Sequence, residues 1–235
     1  MHGKLRWLGV AFIEFTTADG KVILIDAWTK TDGSPTCPLE TNEISKADLV
    51  LVTHDHFDHA ASAAAVCKHT GALLGGSDGT IKRIMKEEGI QSAQVVNGGA
   101  GYLTGGTTDL GWAKVVATPA IHTSNTSLPT GVIVRAADGT TIYHSGDTSL
   151  TGEMELYARL YPIDVAILPI YGIATMDGLQ ATEAVRLTKA KKVMPIHFDF
   201  CVDPQKALAD FVQLCHERIA DVEVLIPEPG KSFEL

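Results

Sequence analysis

The sequence predicts an α/β (α+β) chain in which two β-sheets pack face to face and helices cover both outer faces. Three observations carry that prediction. Strand-like and helix-like segments alternate along all 235 residues, with no low-complexity tract or long linker between them. A strand, an Ala-Asp-Gly turn, a second strand and an Asp occupy residues 12–26, and the same order returns over residues 131–147. In each half a continuous apolar strand follows, at residues 48–52 and again at 164–168, as expected of strands buried on both faces. With no linker dividing the two ββα-type halves, the expectation is one domain over residues 1–235.

The elements follow in order. Residues 5–8 and 12–15 open the chain as strands, and Ala18-Asp19-Gly20 turns it into a third over residues 21–26, because Asp and Gly tolerate positive φ between apolar runs. The apolar run at residues 47–53 is the next strand. Alanine-rich residues 60–69 predict a helix stopped by Gly71, and residues 80–88 a second closed by Gly89. The glycine-rich stretch 95–118 reads as short strands joined by tight turns. Strands at residues 131–135, 140–144 and 164–168 precede a helix near 181–189, a strand at 192–196, a helix near 204–219 and a last strand at 222–226.

Composition narrows the function classes. Apolar residues make up 45% of the chain and mean hydropathy is +0.12, so a chain of this length builds its core without disulfides. Against 19 basic residues stand 28 acidic ones, a net charge of −9, which argues against a nucleic-acid partner. No apolar run reaches the ~20 residues of a membrane helix, and the first residues lack a signal-peptide core, so a cytoplasmic protein without a membrane partner is expected. The four cysteines form no Cys-x-x-Cys pair and read as ordinary thiols of a reducing compartment, although Cys201 follows His197 closely enough to touch its surroundings.

The chemistry concentrates in Thr53-His54-Asp55-His56-Phe57-Asp58-His59, where five of seven residues are His or Asp directly after a buried strand. A loop leaving a strand end can turn His54 and His56 toward one point, while Asp58 and His59 at the following helix start face a second. Such a cluster would be costly in an apolar core, and imidazole with carboxylate suits Zn²⁺, Fe²⁺ or Mn²⁺. His122, Asp147 and His197 each follow an apolar strand, and Gly146 lets the chain turn sharply before Asp147. Together they complete two sites of three or four ligands. No G-x-S-x-G elbow or catalytic-cysteine motif competes.

The runs "HDHFDH", "PAIHTSN", "HSGDTS" and "MPIHFDF", with the opening "ILIDAW", resemble the signature of the metallo-β-lactamase-fold superfamily of binuclear metal hydrolases. Within it the chain is similar to the branch of small metal-dependent hydrolases that includes the L-ascorbate 6-phosphate lactonases. The resemblance implies a four-layer αβ/βα sandwich of two mixed β-sheets. It implies that His54, His56 and His122 hold one divalent cation and Asp58, His59 and His197 a second, with Asp147 bridging. Zinc is the expected metal, manganese or iron the alternatives. The activity implied is hydrolysis of a small ester-type substrate, a lactone or phosphoester, by a metal-bridging hydroxide, with Asp58 and His59 catalytic and Asp58 orienting the attacking water. An iron-dependent redox or sulfur-handling protein and a phosphodiesterase or nuclease are the alternatives. Asp26, at a strand end like Asp147, is placed behind a ligand histidine to orient it. His144 and Tyr171 are candidates for supporting the site or contacting substrate. His69 suits a helix C-terminus, and His2 and His216 carry no functional argument. Relatives often place His or Ser after the first Leu-Gly; here Leu8-Gly9-Val10-Ala11 offers no such contact. The partner expected is a small-molecule substrate, with a homo-oligomer as a further expectation.

Overall fold

Both Ala-Asp-Gly turns close antiparallel hairpins, and a parallel strand extends each hairpin. In the computed structural model, which describes residues 3–235, β1 (Lys4–Gly9), β2 (Phe12–Thr16) and β3 (Val22–Ile25) run antiparallel. β4 (Leu49–Val52) and β5 (Leu73–Gly76) then add in parallel. The second sheet repeats this plan. β6 (Thr107–Asp109), β7 (Ala113–Pro119), β8 (Thr130–Ala136) and β9 (Thr141–His144) are antiparallel. β10 (Val165–Pro169), β11 (Lys192–Ile196) and β12 (Glu223–Val224) continue in parallel. Finally β13 (Ser232–Glu234) returns to pair with β1, giving the orders β13-β1-β2-β3-β4-β5 and β12-β11-β10-β9-β8-β7-β6. His2 lies outside the described residues.

The repeat extends to single hydrogen bonds. Asp48 before β4 accepts the Val22 N–H at 2.9 Å and the Lys21 ammonium at 2.8 Å. Asp164 before β10 accepts the Thr141 N–H at 2.9 Å and the Lys191 ammonium at 3.2 Å. In both halves an Asp thus fixes where the preceding strand begins.

Side-chain alternation builds the layers. In the first sheet Ile23, Ile25, Leu49 and Leu51 face the second sheet and join one core with Ile133, Ile142 and Ile167. Their neighbours Leu24, Val50 and Val52 face the opposite way, onto Val66 of α2 (Ala63–Thr70) and Ile81 and Ile84 of α3 (Asp78–Glu88). On the second sheet's outer face lie α5 (Gly178–Thr188), opened by an Asp177–Gln180 capping box, and α6 (Pro204–Arg218), opened by Asp203 and Pro204. The architecture is therefore the expected α/β sandwich of two mixed sheets with helices outside. No helix among the described residues is long and apolar enough to cross a membrane.

Several sequence expectations need correction. The helix expected over residues 60–69 is two pieces, α1 (Phe57–Ala60) and α2, broken at residues 61–62 just after the metal-ligand motif, whose Asp58 and His59 lie in α1. Within the expected strand run 95–118, residues 96–99 form a 3-10 turn, because Asn97 and Gly98 both adopt positive φ and cannot extend. The last strand keeps only two residues. Three elements were not anticipated: β5, α4 (Glu153–Leu160) and β13. β5 reads Leu-Leu-Gly-Gly, without alternation, because a Cβ on Gly75 would come within 2.8 Å of the Leu51 side chain.

Candidate metal centre

The loops that follow β4, β7, β9 and β11 meet at one end of the two sheets. Each must turn abruptly there, and the backbone carries the signs of it. His197 sits at φ +63 and Asp26, just past β3, at φ +54, conformations rare for residues with a Cβ and concentrated at functional sites. Gly146 has φ +62, and a side chain there would strike the Thr130 carbonyl, so only glycine makes the turn that aims Asp147 inward.

Two donor groups result. His54 Nε2 lies 2.9 Å from His56 Nδ1, which lies 3.3 Å from His122 Nε2. In the second group His197 Nε2 is 3.3 Å, and His59 Nε2 3.6 Å, from Asp58 Oδ2. Asp147 Oδ2 stands between them, 3.6 Å from His122 Nε2, 3.5 Å from His59 Nε2 and 3.2 Å from His197 Nε2. The triads His54–His56–His122, His54–His59–Asp147 and Asp58–His59–His197 each hold their donor atoms within 4.8 Å of one another. His54, His59, Asp58, Asp147 and His197 are buried, whereas His56 and His122 are half-buried and mark the open side.

This arrangement fits divalent cations. His59 Nε2, both ring nitrogens of His197 and Asp147 Oδ1 are buried without hydrogen-bond partners, a cost that a bound cation removes for the atoms facing it. The donor spacings of 2.9 to 3.6 Å bracket the edge of roughly 3.3 Å of a tetrahedron drawn about an ion ~2.0–2.1 Å from each ligand.

Asp26 organises both groups from behind. Fully buried, it accepts the Thr53 N–H at 2.8 Å, the Thr53 hydroxyl at 2.7 Å and His59 Nδ1–H at 2.8 Å. Because the Thr53 hydroxyl donates to Asp26, it accepts from His54 Nδ1, 3.1 Å away. Both His54 and His59 are thereby fixed in the tautomer that leaves the Nε2 lone pair facing the cluster. The Ala174 carbonyl does the same for His122 by accepting from Nδ1 at 3.1 Å. Asp55 points away from the donors and accepts from the Ser124 hydroxyl at 2.7 Å and the Asn125 N–H at 2.8 Å, tying the His122 loop to the His54 loop.

The charges separate into two environments. Burial, reinforced by His59, pushes the His54 pKa far down, and burial also lowers that of His122, so these two imidazoles are neutral. Burial works against charge on His59 and His197 too, but Asp147 with Asp26 holds His59 well above its usual value. Asp147 with Asp58 holds His197 up to about 9. In return, and against burial, His59 and His197 keep the Asp147 and Asp58 carboxyls below the usual carboxylate range. In the metal-free chain the two acids and the two histidines of the second group thus favour one another's charged forms.

The structure brings all seven sequence-predicted donors together and puts Asp26 behind His59. Tyr171 stacks on the His197 ring, centroids 5.6 Å apart at 19°. His144 does not meet a substrate: its Nε2–H donates to the Ala11 carbonyl at 3.0 Å and its Nδ1 accepts the Gly146 N–H at 3.1 Å, so it links the two sheets and steadies the Asp147 turn. Cys201 directs its thiol to the Tyr171 carbonyl at 3.7 Å and belongs to none of the donor triads. At the Leu8-Gly9-Val10-Ala11 corner the side chain of Val10 is buried and the backbone does the binding. The Val10 carbonyl accepts from the His197 N–H at 3.0 Å and from the Trp7 indole at 3.0 Å. Sequence reading missed Thr53, Asp55 and the Ala174 carbonyl. The first two lie inside the motif and could have been found from it, whereas a backbone acceptor carries no sequence signal.

Comparison with known proteins agrees with this geometry. The family model described as the β-lactamase superfamily domain matches residues 21–198. The chain is 38% identical over 235 residues to a UPF0173 metal-dependent hydrolase of Nitratidesulfovibrio vulgaris, covering 100% of this chain and 96% of that one. A UPF0173 metal-dependent hydrolase of Pyrobaculum arsenaticum is 36% identical over 233 residues, covering 99% and 100%. Among solved structures, Igni18, a novel metallo hydrolase from Ignicoccus hospitalis, superposes with a TM-score of 0.85 at 30% identity over 100% of both chains. The metallo-β-lactamase fold protein YhfI from Bacillus subtilis has a TM-score of 0.74 at 14% identity over 100% of both chains, a likeness of fold alone.

Proposed function

The chain belongs to the β-lactamase superfamily and is a metal-dependent hydrolase, and on that premise we propose that it cleaves a small ester-type substrate, a lactone or a phosphoester, with two divalent cations. His54, His56 and His122 would hold one cation, Asp58, His59 and His197 the other, and Asp147, within 3.6 Å of donors from both groups, would serve both. Such ions, zinc on this His/Asp set, supply Lewis acidity that polarises the scissile oxygen and lowers the pKa of bound water toward ~7. The chain's own residues do the rest. Asp58 directs Oδ2 at His59 and His197, leaving its other oxygen to accept a hydrogen from the attacking water and orient it. Asp26 and Thr53 keep His59 and His54 from rotating. Substrate enters on the open side, past His56 and His122.

One observation carries this reading: the buried Nε2 atoms of His59 and His197 lack hydrogen-bond partners within a seven-donor set. Elemental analysis of the purified protein should give two equivalents of zinc, manganese or iron. Hydrolysis of a generic lactone or phosphodiester should vanish in His56→Ala. Full activity in metal-free protein would overturn the proposal, and dominant iron with oxygen uptake would favour the redox alternative.

A further inference from the structure

Large apolar side chains stand in water on both flanks of the metal centre. Phe57, between His56 and Asp58 in sequence, is 66% exposed; Ile121, beside His122, is 58% exposed; Ile173, beside the carbonyl that holds His122, is 79% exposed. Behind Phe57 runs an unbroken aromatic belt. Phe57 meets Trp28 edge-on at 5.2 Å, Trp28 lies 6.5 Å from Phe200, and Phe200 lies 6.0 Å from Tyr171, which stacks on His197. An aromatic wall thus flanks the His197 side of the centre and an aliphatic pair the His122 side.

Charge gives the second, independent observation. The segments that form this edge, residues 26–29, 53–59, 119–130, 144–152, 169–179 and 196–203, contain no Lys or Arg. The nearest in sequence, Lys30, is 3.5 Å from Glu40. Arg and Lys are the usual partners of a phosphate or sulfate away from the metals, and these segments contain neither. Large exposed apolar residues set next to the members of a polar centre point to a ligand site.

We propose that the substrate is a neutral carboxylic ester or lactone whose acyl or aryl group is apolar and seats against Phe57, Ile121, Ile173 and Tyr171. This rests on the hydrolase reading above and sharpens it. In the reaction, the oxygen of water bonds to the acyl carbon and the acyl C–O bond breaks. Its electron pair goes to the departing alkoxide, which takes a proton that water released. The products are an acid and an alcohol, joined in one hydroxy acid when the substrate is a lactone, with no change of oxidation state.

The test uses zinc-loaded protein and the p-nitrophenyl esters of acetate, butyrate and hexanoate beside p-nitrophenyl phosphate. Each added methylene should raise kcat/KM by up to about fourfold, the equivalent of ~0.8 kcal/mol per buried CH₂. Phe57→Ser and Ile173→Ser, both at exposed positions, should lower the hexanoate-to-acetate ratio severalfold, chiefly through KM. Independently of turnover, the neutral dye N-phenyl-1-naphthylamine should brighten on binding the wild type and bind the double variant at least several-fold more weakly. Dye binding without cleavage of any ester or of the phosphate would sink the proposed ester-type function and leave the apolar seat standing. A flat ester series, a preference for the phosphate, or equal dye binding by the double variant would overturn the inference. So would a dimer that Phe57→Ser converts to monomer, since the rim would then be a subunit interface.

Discussion

Replacing Asp26 with Asn changes one buried atom from an acceptor to a donor and so isolates the part that residue plays. Asn tolerates the φ of +54 found here, so the backbone has no reason to move. The carboxylate uses Oδ1 for the Thr53 N–H and Oδ2 for both the Thr53 hydroxyl and His59 Nδ1. An amide cannot serve all three donors. With its NH₂ at the Oδ2 position, His59 must present a bare Nδ1 and move its proton to Nε2, the atom facing Asp58 and Asp147. With its NH₂ at the Oδ1 position, it confronts the Thr53 N–H, and a buried donor is left unpaired at a cost of about 1–3 kcal/mol. Loss of a partner that orients a metal-binding histidine weakens metal affinity about 10- to 100-fold, or about 1.4 to 2.7 kcal/mol. Zinc competition against a chromophoric chelator measures this directly, with far-ultraviolet circular dichroism to show that the variant is folded. A folded Asp26→Asn protein that binds two zinc ions as tightly as the wild type would refute the reasoning.

Three further outcomes are expected. His56→Ala removes a ligand rather than its support, so kcat/KM should fall by more than the roughly 100-fold upper figure for supporting residues, and zinc content should drop below two equivalents; unchanged content would exclude His56 as a donor. Stripping metal with EDTA should lower Tm by about 8–16 °C for each ion that had been held at a thousand times its Kd, from ~4.1 kcal/mol of linkage per ion at about 2–4 °C per kcal/mol in a chain of this size; calorimetry showing no shift would remove the site. Asp48 is held below its ordinary pKa of 3.8 by Lys21 and the Val22 N–H, which outweigh burial, so its contribution exists above that value and disappears as pH falls through the lower folded one. Asp48→Ala should therefore melt about 2–4 °C below wild type at pH 7, a screened effect of about 1 kcal/mol, with the gap closing below about pH 4; a gap constant from pH 7 to 3 would assign it to packing instead.

The legible parts of the fold were those with local signals. The two Ala-Asp-Gly hairpins, the parallel strands after Asp48 and Asp164, and α3, α5 and α6 all carry turn residues, continuous apolar runs or glycine stops of their own. What escaped was set by distant partners. β5 is a strand because Leu74 and Gly75 pair with Val50 and Leu51, and its glycines are there to let Leu51 approach. β13 exists because β1 has an open edge, a fact invisible from its own three residues. In the site, the seven donors could be read because polar residues at strand ends are costly unless used, and Asp26 because it matched Asp147 in the repeat. His144 carried the same signal and proved to be a link between sheets, since a buried histidine satisfied by two backbone groups leaves the same trace in a sequence as a ligand does.

The repeat also explains why the centre and the fold depend on one another. Two similar halves bring similar strand ends to one edge, yet the ends have diverged. The loop after β4 supplies four donors, His54, His56, Asp58 and His59, while its counterpart after β10 supplies Tyr171 and no donor. The acids that follow β3 and β9 have parted as well: Asp26 stays behind His59 as support, and Asp147 reaches between the two donor groups. No donor triad involving the second cation is complete within one half, because Asp58 and His59 come from the first and His197 from the second. Cations bound as proposed would join the sheets, and their binding energy would add to the energy of packing sheet on sheet. When they leave, the Asp147 and Asp58 carboxylates keep counter-charges only because His59 and His197, both held above their usual pKa by these acids, take up protons in the cations' place. Metal removal should therefore loosen this edge and lower Tm without unfolding the chain, whereas an Asp147→Ala protein, which lacks the acid facing both histidines, should lose that difference between loaded and stripped forms.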